Sequence, residues 1–192
     1  MTEKNLELFD QPAELALPED ELERRAVFAE KWVEAVRTIE RAALKVTNHY
    51  DWVDMNGRPY LTATGAEKMG ALFGISITDL QVEEVRRKDD RGEWIEFVAR
   101  ARFSMGSRQI EAIGTASSRS KFFGWAKGEL KPIEEVDLPS IRKAAISNCK
   151  RNGILTLLGL RSPTYEDLKA AGVDVSKIAK VEFQKKGGGV TR

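Results

Sequence analysis

The sequence predicts an α+β fold: an antiparallel three-stranded β-meander followed by a long helix (a β-β-β-α core), with an N-terminal amphipathic helix before it. Apolar residues recur every three or four positions over residues 19–47, and a second helical segment follows Asp137. Between them, residues 94–104 alternate apolar and polar side chains, which is typical of a half-buried strand. Short polar links join this strand to its neighbours and favour antiparallel pairing.

The 192 residues are enough for one core with a small appended unit. No apolar run approaches the roughly 20 residues of a membrane span, and acids occupy the first positions, where a signal peptide would be basic. We therefore expect a cytoplasmic protein. A single cysteine (Cys149) and a single histidine (His49) leave no disulfide framework and no thiolate zinc cluster. Cys149 is predicted to be a buried packing residue and His49 a packing or hydrogen-bonding residue, and we expect no metal or cofactor.

Composition divides the chain into four segments. Residues 1–18 are predicted to be a mobile acidic arm, and residues 19–160 the folded core. Residues 161–184 are predicted to form a small helical or mixed extension. Residues 185–192 are predicted to be a flexible tail because they are rich in glycine.

The first half of the core contains recognisable turn and cap residues. Asn56-Gly57 is typical of a tight hairpin turn. Either Thr62 or Thr64 is expected to cap a helix over about 64–73, and Gly74 is expected to end it.

Three strands are predicted next, over residues 75–87, 94–104 and 108–117. The irregular alternation of the first indicates a bulge. The second strand places five apolar residues on one face: Ile95, Phe97, Ala99, Ala101 and Phe103. Its other face carries Arg100 and Arg102.

Residues 118–137 form a long connection with no clear period, and loops of this length are more often functional or mobile than ordinary. Basic and aromatic residues are interleaved within it: Arg119, Lys121, Phe122, Phe123, Trp125 and Lys127. Aromatic faces stack on nucleobases and cations bind phosphates, but the same rings also anchor loops onto a core. Both interpretations remain open from the sequence.

Positive charge is concentrated in the last third of the chain. Residues 118–192 contain 15 basic and 8 acidic residues, whereas the whole chain has a net charge of +1. The predicted helix after Asp137 contains Arg142, Lys143, Lys150 and Arg151. Positions 143 and 150 are two turns apart and share one side of a helix. We expect that side and the sheet arginines to line one positive groove; a merely solvated charged face is the alternative.

No catalytic constellation is recognisable. A phosphate-binding GxxxxGK[ST] loop does not occur, which disfavours an ATP-driven enzyme. Glu96 and Glu111 are the strand carboxylates that a metal-dependent nuclease would use, but no spaced Glu-x-Lys accompanies them. We therefore assign no catalytic residue and expect a binding protein rather than an enzyme.

The order of elements resembles the single-strand annealing proteins, the superfamily of Rad fifty-two-like and phage Erf- and Sak-type recombination proteins. Three segments carry the resemblance, which covers about residues 60–160: LTATGAEKMGALFGI, GEWIEFVARARFSMGSRQIEAIGTASS and RKAAISNCKRNGILTLLGL. These are patterns of residue class rather than an active-site signature. The chain departs from the pattern at Thr64, where some members have a basic residue, and in the aromatic loop.

The resemblance implies a protein of phage-type homologous recombination that binds single-stranded DNA and anneals complementary strands without ATP, as a ring or helical homo-oligomer in a bacterial host cell. The implied phosphate contacts are Arg142, Lys143, Lys150 and Arg151, with Arg100 and Arg102 as weaker candidates. The implied partners are single-stranded DNA, further copies of the chain, and a phage exonuclease or host single-strand-binding protein. The alternatives are a metal-dependent nuclease of the same pathway and a non-catalytic oligomeric scaffold.

Overall fold

The structure is a computed structural model that describes residues 19–126, 129–160 and 163–181. The chain divides into two compact units, residues 1–37 and 38–192. Helix α1 (Glu19–Lys45) begins in the first unit and ends in the second. The predictions of a mobile arm over residues 1–18 and a flexible tail over 185–192 lie outside the described residues.

The apolar side chains of α1 differ in burial along its length. Within the first unit, Leu22, Phe28 and Trp32 are exposed, and the Phe28 and Trp32 rings stack with centroids 6.1 Å apart. Ala43 and Leu44, in the second unit, are buried in its core. Burial of the apolar stripe of α1 is therefore seen only in its last turns.

A small sheet follows α1. Strands β1 (Trp52–Met55) and β2 (Arg58–Leu61) form the predicted hairpin, in which Asn56 and Gly57 adopt φ values of +58° and +78°. This is the left-handed conformation that the Asn-Gly turn requires. The third strand of this sheet, β8 (Ala179–Val181), pairs in parallel with β1 and was not predicted.

Helix α2 (Ala63–Leu72) follows β2 directly, and its N-cap is Thr62 rather than Thr64. The Thr62 hydroxyl accepts a hydrogen bond from the Gly65 amide at 3.1 Å, which satisfies one of the unpaired donors of the first turn. As predicted, the chain leaves the helix at Gly74, which has a positive φ of 62°.

The main sheet has the strand order β3-β4-β5 and is antiparallel, as predicted. Its strands are β3 (Ser76–Asp89), β4 (Gly92–Met105) and β5 (Arg108–Ser117). The predicted bulge lies between Thr78 and Gln81, where the register between β3 and β4 shifts. Asp79 lies inside the bulge and has a positive φ of 54°, a conformation that Asp tolerates better than most residues.

Helix α3 (Leu138–Leu158) packs across β4 and β5, which confirms the β-β-β-α order. Asp137 caps its first turn. Two glycines permit the close contact between α3 and the sheet: a Cβ atom at Gly114 of β5 would overlap the α3 backbone at Cys149, and one at Gly153 of α3 would overlap the Phe103 ring. The five apolar residues predicted to share one face of β4 are all buried.

The connection between β5 and α3 is more ordered than predicted. It contains a short hairpin of β6 (Trp125–Ala126) and β7 (Glu129–Leu130), followed by a 3-10 turn over Ile133–Glu135. After α3, the helix α4 (Tyr165–Ala170) precedes β8. Across the described ranges, no helix combines the length and the apolar character that crossing a bilayer would require.

Candidate nucleic-acid interface

The first two of the four predicted phosphate contacts, Arg142 and Lys143, are exposed on the first half of α3. Neither makes an ion pair with any residue that the structure describes. Their neighbours Ile141 and Ala145 are fully buried against the sheet, so this half of the helix is anchored on one side and open on the other. Both charges are therefore accessible to an anionic partner.

Lys150, in the second half of α3, is already paired. Its Nζ donates to Glu67 Oε1 of α2 at 2.7 Å. The next residue of α2, Lys68, makes a second ion pair of 2.8 Å with Asp51, whose side chain is only 3% exposed. These two contacts connect α2 to α3 and to the short 3-10 helix before β1. A phosphate that binds Lys150 must compete with the Glu67 carboxylate.

Arg151 is half-buried against the β1–β2 hairpin. Its Cζ lies 3.8 Å from the centroid of the Tyr60 ring, within the range of a cation–π contact. Its Nη2 donates to Asn152 Oδ1 at 3.1 Å, whereas its buried Nε has no hydrogen-bond partner among the described residues. Burial lowers the pKa of Arg151, against a smaller opposing contribution from Tyr60. The guanidinium remains charged because arginine is not deprotonated in proteins.

The four cations follow one another along α3. Positions 143 and 150 are separated by two turns, or about 10 Å of helix axis, and lie on the same side. By the 100° step of an α-helix, Arg142 and Arg151 flank this line on opposite sides. The four cations therefore do not form one line: Lys143 and Lys150 share a side, Arg142 and Arg151 lie on opposite sides of it, and the surroundings change from open to engaged along the helix.

Arg100 and Arg102 lie on the opposite face of the main sheet. They alternate along β4 with Ala99 and Ala101, which are buried on the side that α3 covers. The expectation that these arginines and the α3 cations line one groove is therefore wrong, because the central strand separates them. Arg102 is also paired with acids, at 3.1 Å from Asp79 and 3.7 Å from Glu111.

Of the two roles that the sequence left open for the aromatic loop, the structure shows anchoring on the core by one ring and leaves two other rings exposed. Phe123 is partly buried and packs against the core, with its ring edge-on to Phe122 at 4.8 Å. Phe122 itself is 70% exposed, and Trp125 is 39% exposed with its Nε1 donating to Arg119 O. Lys121 is exposed, and Lys127 lies outside the described residues.

The loop and the first turns of α3 lie at the same end of the sheet. Asn152 and Asn148 of α3 donate to the carbonyls of Ile113 and Thr115 respectively, each at 2.9 Å. Moving back along α3 thus leads towards Ser117, where β5 ends and the loop begins. Arg142 and Lys143 therefore share an end of the molecule with the exposed Phe122 and Trp125 rings.

Arg119 of the same loop fixes the loop to the turn between β3 and β4. Its guanidinium binds the Asp89 carboxylate and donates to Gly92 O, and it lies 5.6 Å from the Trp94 ring. The hydrogen bond from Arg119 holds the pKa of Asp89 below its ordinary value. This arginine is consequently a structural anchor rather than an open phosphate ligand.

The carboxylates considered for nuclease chemistry do not meet. Glu111 lies opposite Arg102 in the β4–β5 register, whereas Glu96 is six residues away along β4, or about 20 Å. These two groups are too far apart to bind one metal ion. Nor do any three His, Cys, Asp or Glu side chains within residues 19–126, 129–160 and 163–181 form a group that could hold one.

Cys149 occupies a buried packing position, as predicted, and His49 is half-buried. Cys149 is fully buried, its Sγ lies 3.3 Å from Ala112 O, and desolvation raises the pKa of its thiol. A buried thiol with a raised pKa is a poor nucleophile. The His49 ring contacts the Tyr50 ring at 3.9 Å.

Sequence reasoning missed Glu67 and Tyr60, the partners of Lys150 and Arg151. The contact between Glu67 and Lys150 spans 83 residues of sequence. No local pattern encodes a pairing at that separation. No protein-family model and no curated protein sequence matches this chain.

Proposed function

We propose that the protein binds single-stranded DNA along the cationic side of α3 and promotes the annealing of complementary strands in phage-type recombination, without ATP, as a homo-oligomer in the cytoplasm of a bacterial host cell. The observation that carries this proposal is the open first half of α3. There, Arg142 and Lys143 are exposed and unpaired by any described carboxylate, at the same end of the sheet as the exposed rings of Phe122 and Trp125.

Phosphate contacts alone give affinity without sequence preference, because every nucleotide carries the same charge. Exposed rings at the same end of the sheet add base stacking worth roughly 1–3 kcal/mol per base, again without sequence preference. A strand held in this way keeps its hydrogen-bonding edges available to a second strand. The arrangement therefore suits a protein that acts on any sequence and tests complementarity by base pairing.

Lys150 and Arg151 extend the proposed path towards α2 and the β1–β2 hairpin. Lys150 contributes only when phosphate displaces Glu67, so we assign it a smaller share of the affinity than Lys143. Arg100 and Arg102 lie on the other face of the sheet and are not part of this path. The exposed apolar residues of α1, among them Phe28 and Trp32, are proposed to contact other subunits of the oligomer.

The test is equilibrium binding of a fluorescent single-stranded oligonucleotide across a salt series, with the double variant Arg142→Gln/Lys143→Gln. We expect affinity to fall about tenfold at low salt and the slope of log affinity against log salt to decrease by about 1.4, since two phosphate contacts are lost. The matched control is Lys169→Gln/Lys180→Gln, which removes the same charge from exposed positions of α4 and β8. Equal losses in both variants would show a general charge effect and contradict the assigned site.

Annealing itself is measured as the pairing rate of two complementary oligonucleotides in the presence of EDTA and without nucleotide. Wild-type protein is expected to accelerate pairing, and the double variant to lose most of that acceleration. Binding without acceleration would reject annealing and leave a single-strand-binding protein. Cleavage of labelled DNA on addition of Mg²⁺ or Mn²⁺ would favour the nuclease alternative, and the absence of any binding would favour the scaffold.

A further inference from the structure

The two edge strands of the main sheet differ in their hydrogen bonds to the rest of the chain. At the β5 edge, the side-chain amides of Asn148 and Asn152 donate to the carbonyls of Thr115 and Ile113. These carbonyls are two residues apart and hence point to the same side of the strand. Two backbone carbonyls of β5 are thus already hydrogen-bonded to side chains of α3.

The β3 edge is open. Of the described strands only β4 pairs with β3, and every residue of β3 is exposed or half-exposed. After the bulge, β3 runs regularly for nine residues, from Gln81 to Asp89. A strand of this length with unpaired backbone groups is a template for another strand unless its side chains prevent it.

The side chains of this nine-residue segment are self-complementary. Its centre is Val85, preceded by Glu83 and Glu84 and followed by Arg86 and Arg87. If two copies of the segment pair antiparallel about Val85, each Glu83 lies opposite Arg87 and each Glu84 opposite Arg86. The arrangement contains four cross-strand pairs of opposite charge, and opposite charges at such positions stabilise a sheet.

We infer that the β3 edge is an interface for a second copy of this chain, in which two β3 strands pair antiparallel over Gln81–Asp89 and join two three-stranded sheets into one of six strands. The interface is isologous, with the two-fold axis through Val85. The inference does not depend on DNA binding. Because an isologous contact closes after two copies, a ring or a helix would require a second kind of contact as well.

Charge also selects the register. With a two-fold axis perpendicular to the sheet, the α3 helices of both copies lie on the same face. A shift of one residue would turn one copy over, so the nearest alternative registers are shifted by two residues. Those registers place Glu84 opposite Glu84 or Arg86 opposite Arg86, and like charges directly opposite are destabilising. Charged edges deter unrelated strands for the same reason. The segment therefore accepts its own copy in one register and disfavours other partners.

The glutamate and arginine side chains that form these pairs are already positioned along β3. Arg86 Nε lies 2.9 Å from Glu84 Oε1 of its own strand, and both side chains are exposed. Arg87 lies 5.5 Å from the Trp94 ring and 3.4 Å from Glu96 Oε2, which holds it along the sheet. Pairing of two copies exchanges the Arg86–Glu84 contact within a strand for the same contact between strands, so no charge is left without a partner.

The test is a charge-swap experiment followed by sedimentation velocity over a concentration series at low salt, without DNA. Wild-type protein is expected to reach twice its 21.5 kDa chain mass or a multiple of that dimer. The variants Glu83→Arg/Glu84→Arg and Arg86→Glu/Arg87→Glu each place like charges opposite one another, and we expect each to weaken this association about 10- to 100-fold. Mixed in equal amounts, the two variants are complementary and are expected to associate again.

The matched control is Glu134→Arg/Glu135→Arg, which reverses another adjacent pair of exposed acids. It is expected to associate as the wild type does. Association that survives both β3 reversals, a mixture that stays apart, or a wild-type protein that remains at the chain mass at every concentration would each overturn the inference.

Cross-linking gives a second readout that does not depend on charge. A cysteine placed at the two-fold axis by Val85→Cys lies opposite itself, at a Cβ separation of about 5 Å, and is expected to form an intermolecular disulfide on mild oxidation. Gln81→Cys lies opposite Asp89 and is expected not to cross-link. Cys149 is buried and does not interfere. Equal cross-linking at both positions, or none at position 85, would contradict the register.

Discussion

The two halves of α3 each carry an adjacent pair of basic residues, and the pairs have opposite surroundings. Arg142 and Lys143 project from a half that is covered only on its sheet side. Lys150 and Arg151 lie where α2 and the β1–β2 hairpin also reach the helix, and each already has a partner, Glu67 or Tyr60. Similar residue types in one helix thus differ in what they do: the first pair is available for binding, and the second contributes to the fold.

The largest expected effect on stability concerns the second half of α3, which α2 and the β1–β2 hairpin enclose. Alanine normally stabilises a helix by about 1 kcal/mol relative to glycine. Gly153→Ala should instead destabilise the protein by about 1–3 kcal/mol, because its Cβ would overlap the Phe103 ring. The free energy of unfolding from urea denaturation tests this, with Ser147→Ala in the open half as the control. A Gly153→Ala protein as stable as the wild type would show that this half is less tightly enclosed than described.

A smaller effect on the free energy of unfolding is expected when Arg151 and Arg142 are each substituted. Arg151→Gln loses the contact with Tyr60, and we expect the free energy of unfolding to fall by about 1 kcal/mol. Arg142→Gln removes an exposed charge without a described partner and should change stability by less than about 0.5 kcal/mol. Denaturant midpoints of the two variants measure the difference. If both variants shift the midpoint equally, the distinction between a structural and an available arginine is wrong.

The smallest expected effect comes from the titration of the Asp137 carboxyl group at the start of α3. Asp137 accepts hydrogen bonds from the Ser140 hydroxyl at 2.6 Å and from its amide at 3.2 Å, and these lower the carboxyl pKa below its ordinary 3.8. The folded state therefore favours the charged form. This contribution to stability is present above pH 3.8 and is lost as the pH falls through the folded pKa. The carboxyl carbon chemical shift should show the lowered midpoint.

The matching variant for this titration is Ser140→Ala, which removes the hydroxyl donor and keeps the amide. The Asp137 pKa should move back towards 3.8 without reaching it. An unchanged midpoint would mean that the hydroxyl does not contribute to the cap.

Local patterns in the sequence predicted most of the main sheet and its helix. The period-two alternation of β4, the Asn56-Gly57 turn and the end of α2 at Gly74 each depend on a few neighbouring residues. The bulge in β3 was also visible, as a break in alternation. These features are short-range consequences of side-chain alternation and backbone preference, so a single sequence is sufficient to predict them.

Contacts between distant segments could not be predicted in the same way. The separation of Arg100 and Arg102 from α3, by contrast, could have been predicted, because alternation placed both arginines opposite the apolar face of β4 that the helix covers. The pairing of β8 with β1 joins residues more than 120 positions apart. The engagement of Lys150 likewise depends on the position of α2. The fold was therefore more predictable than the candidate site, whose cations differ mainly in their long-range partners.

The glycine at position 114 has a mechanical consequence. With no side chain there, the backbone of α3 rests directly on β5, and Asn148 and Asn152 fasten the two together on either side of this contact. Because this backbone contact and the two asparagine hydrogen bonds join α3 directly to β5, we expect the helix to move together with the sheet, which keeps the spacing of its basic residues constant.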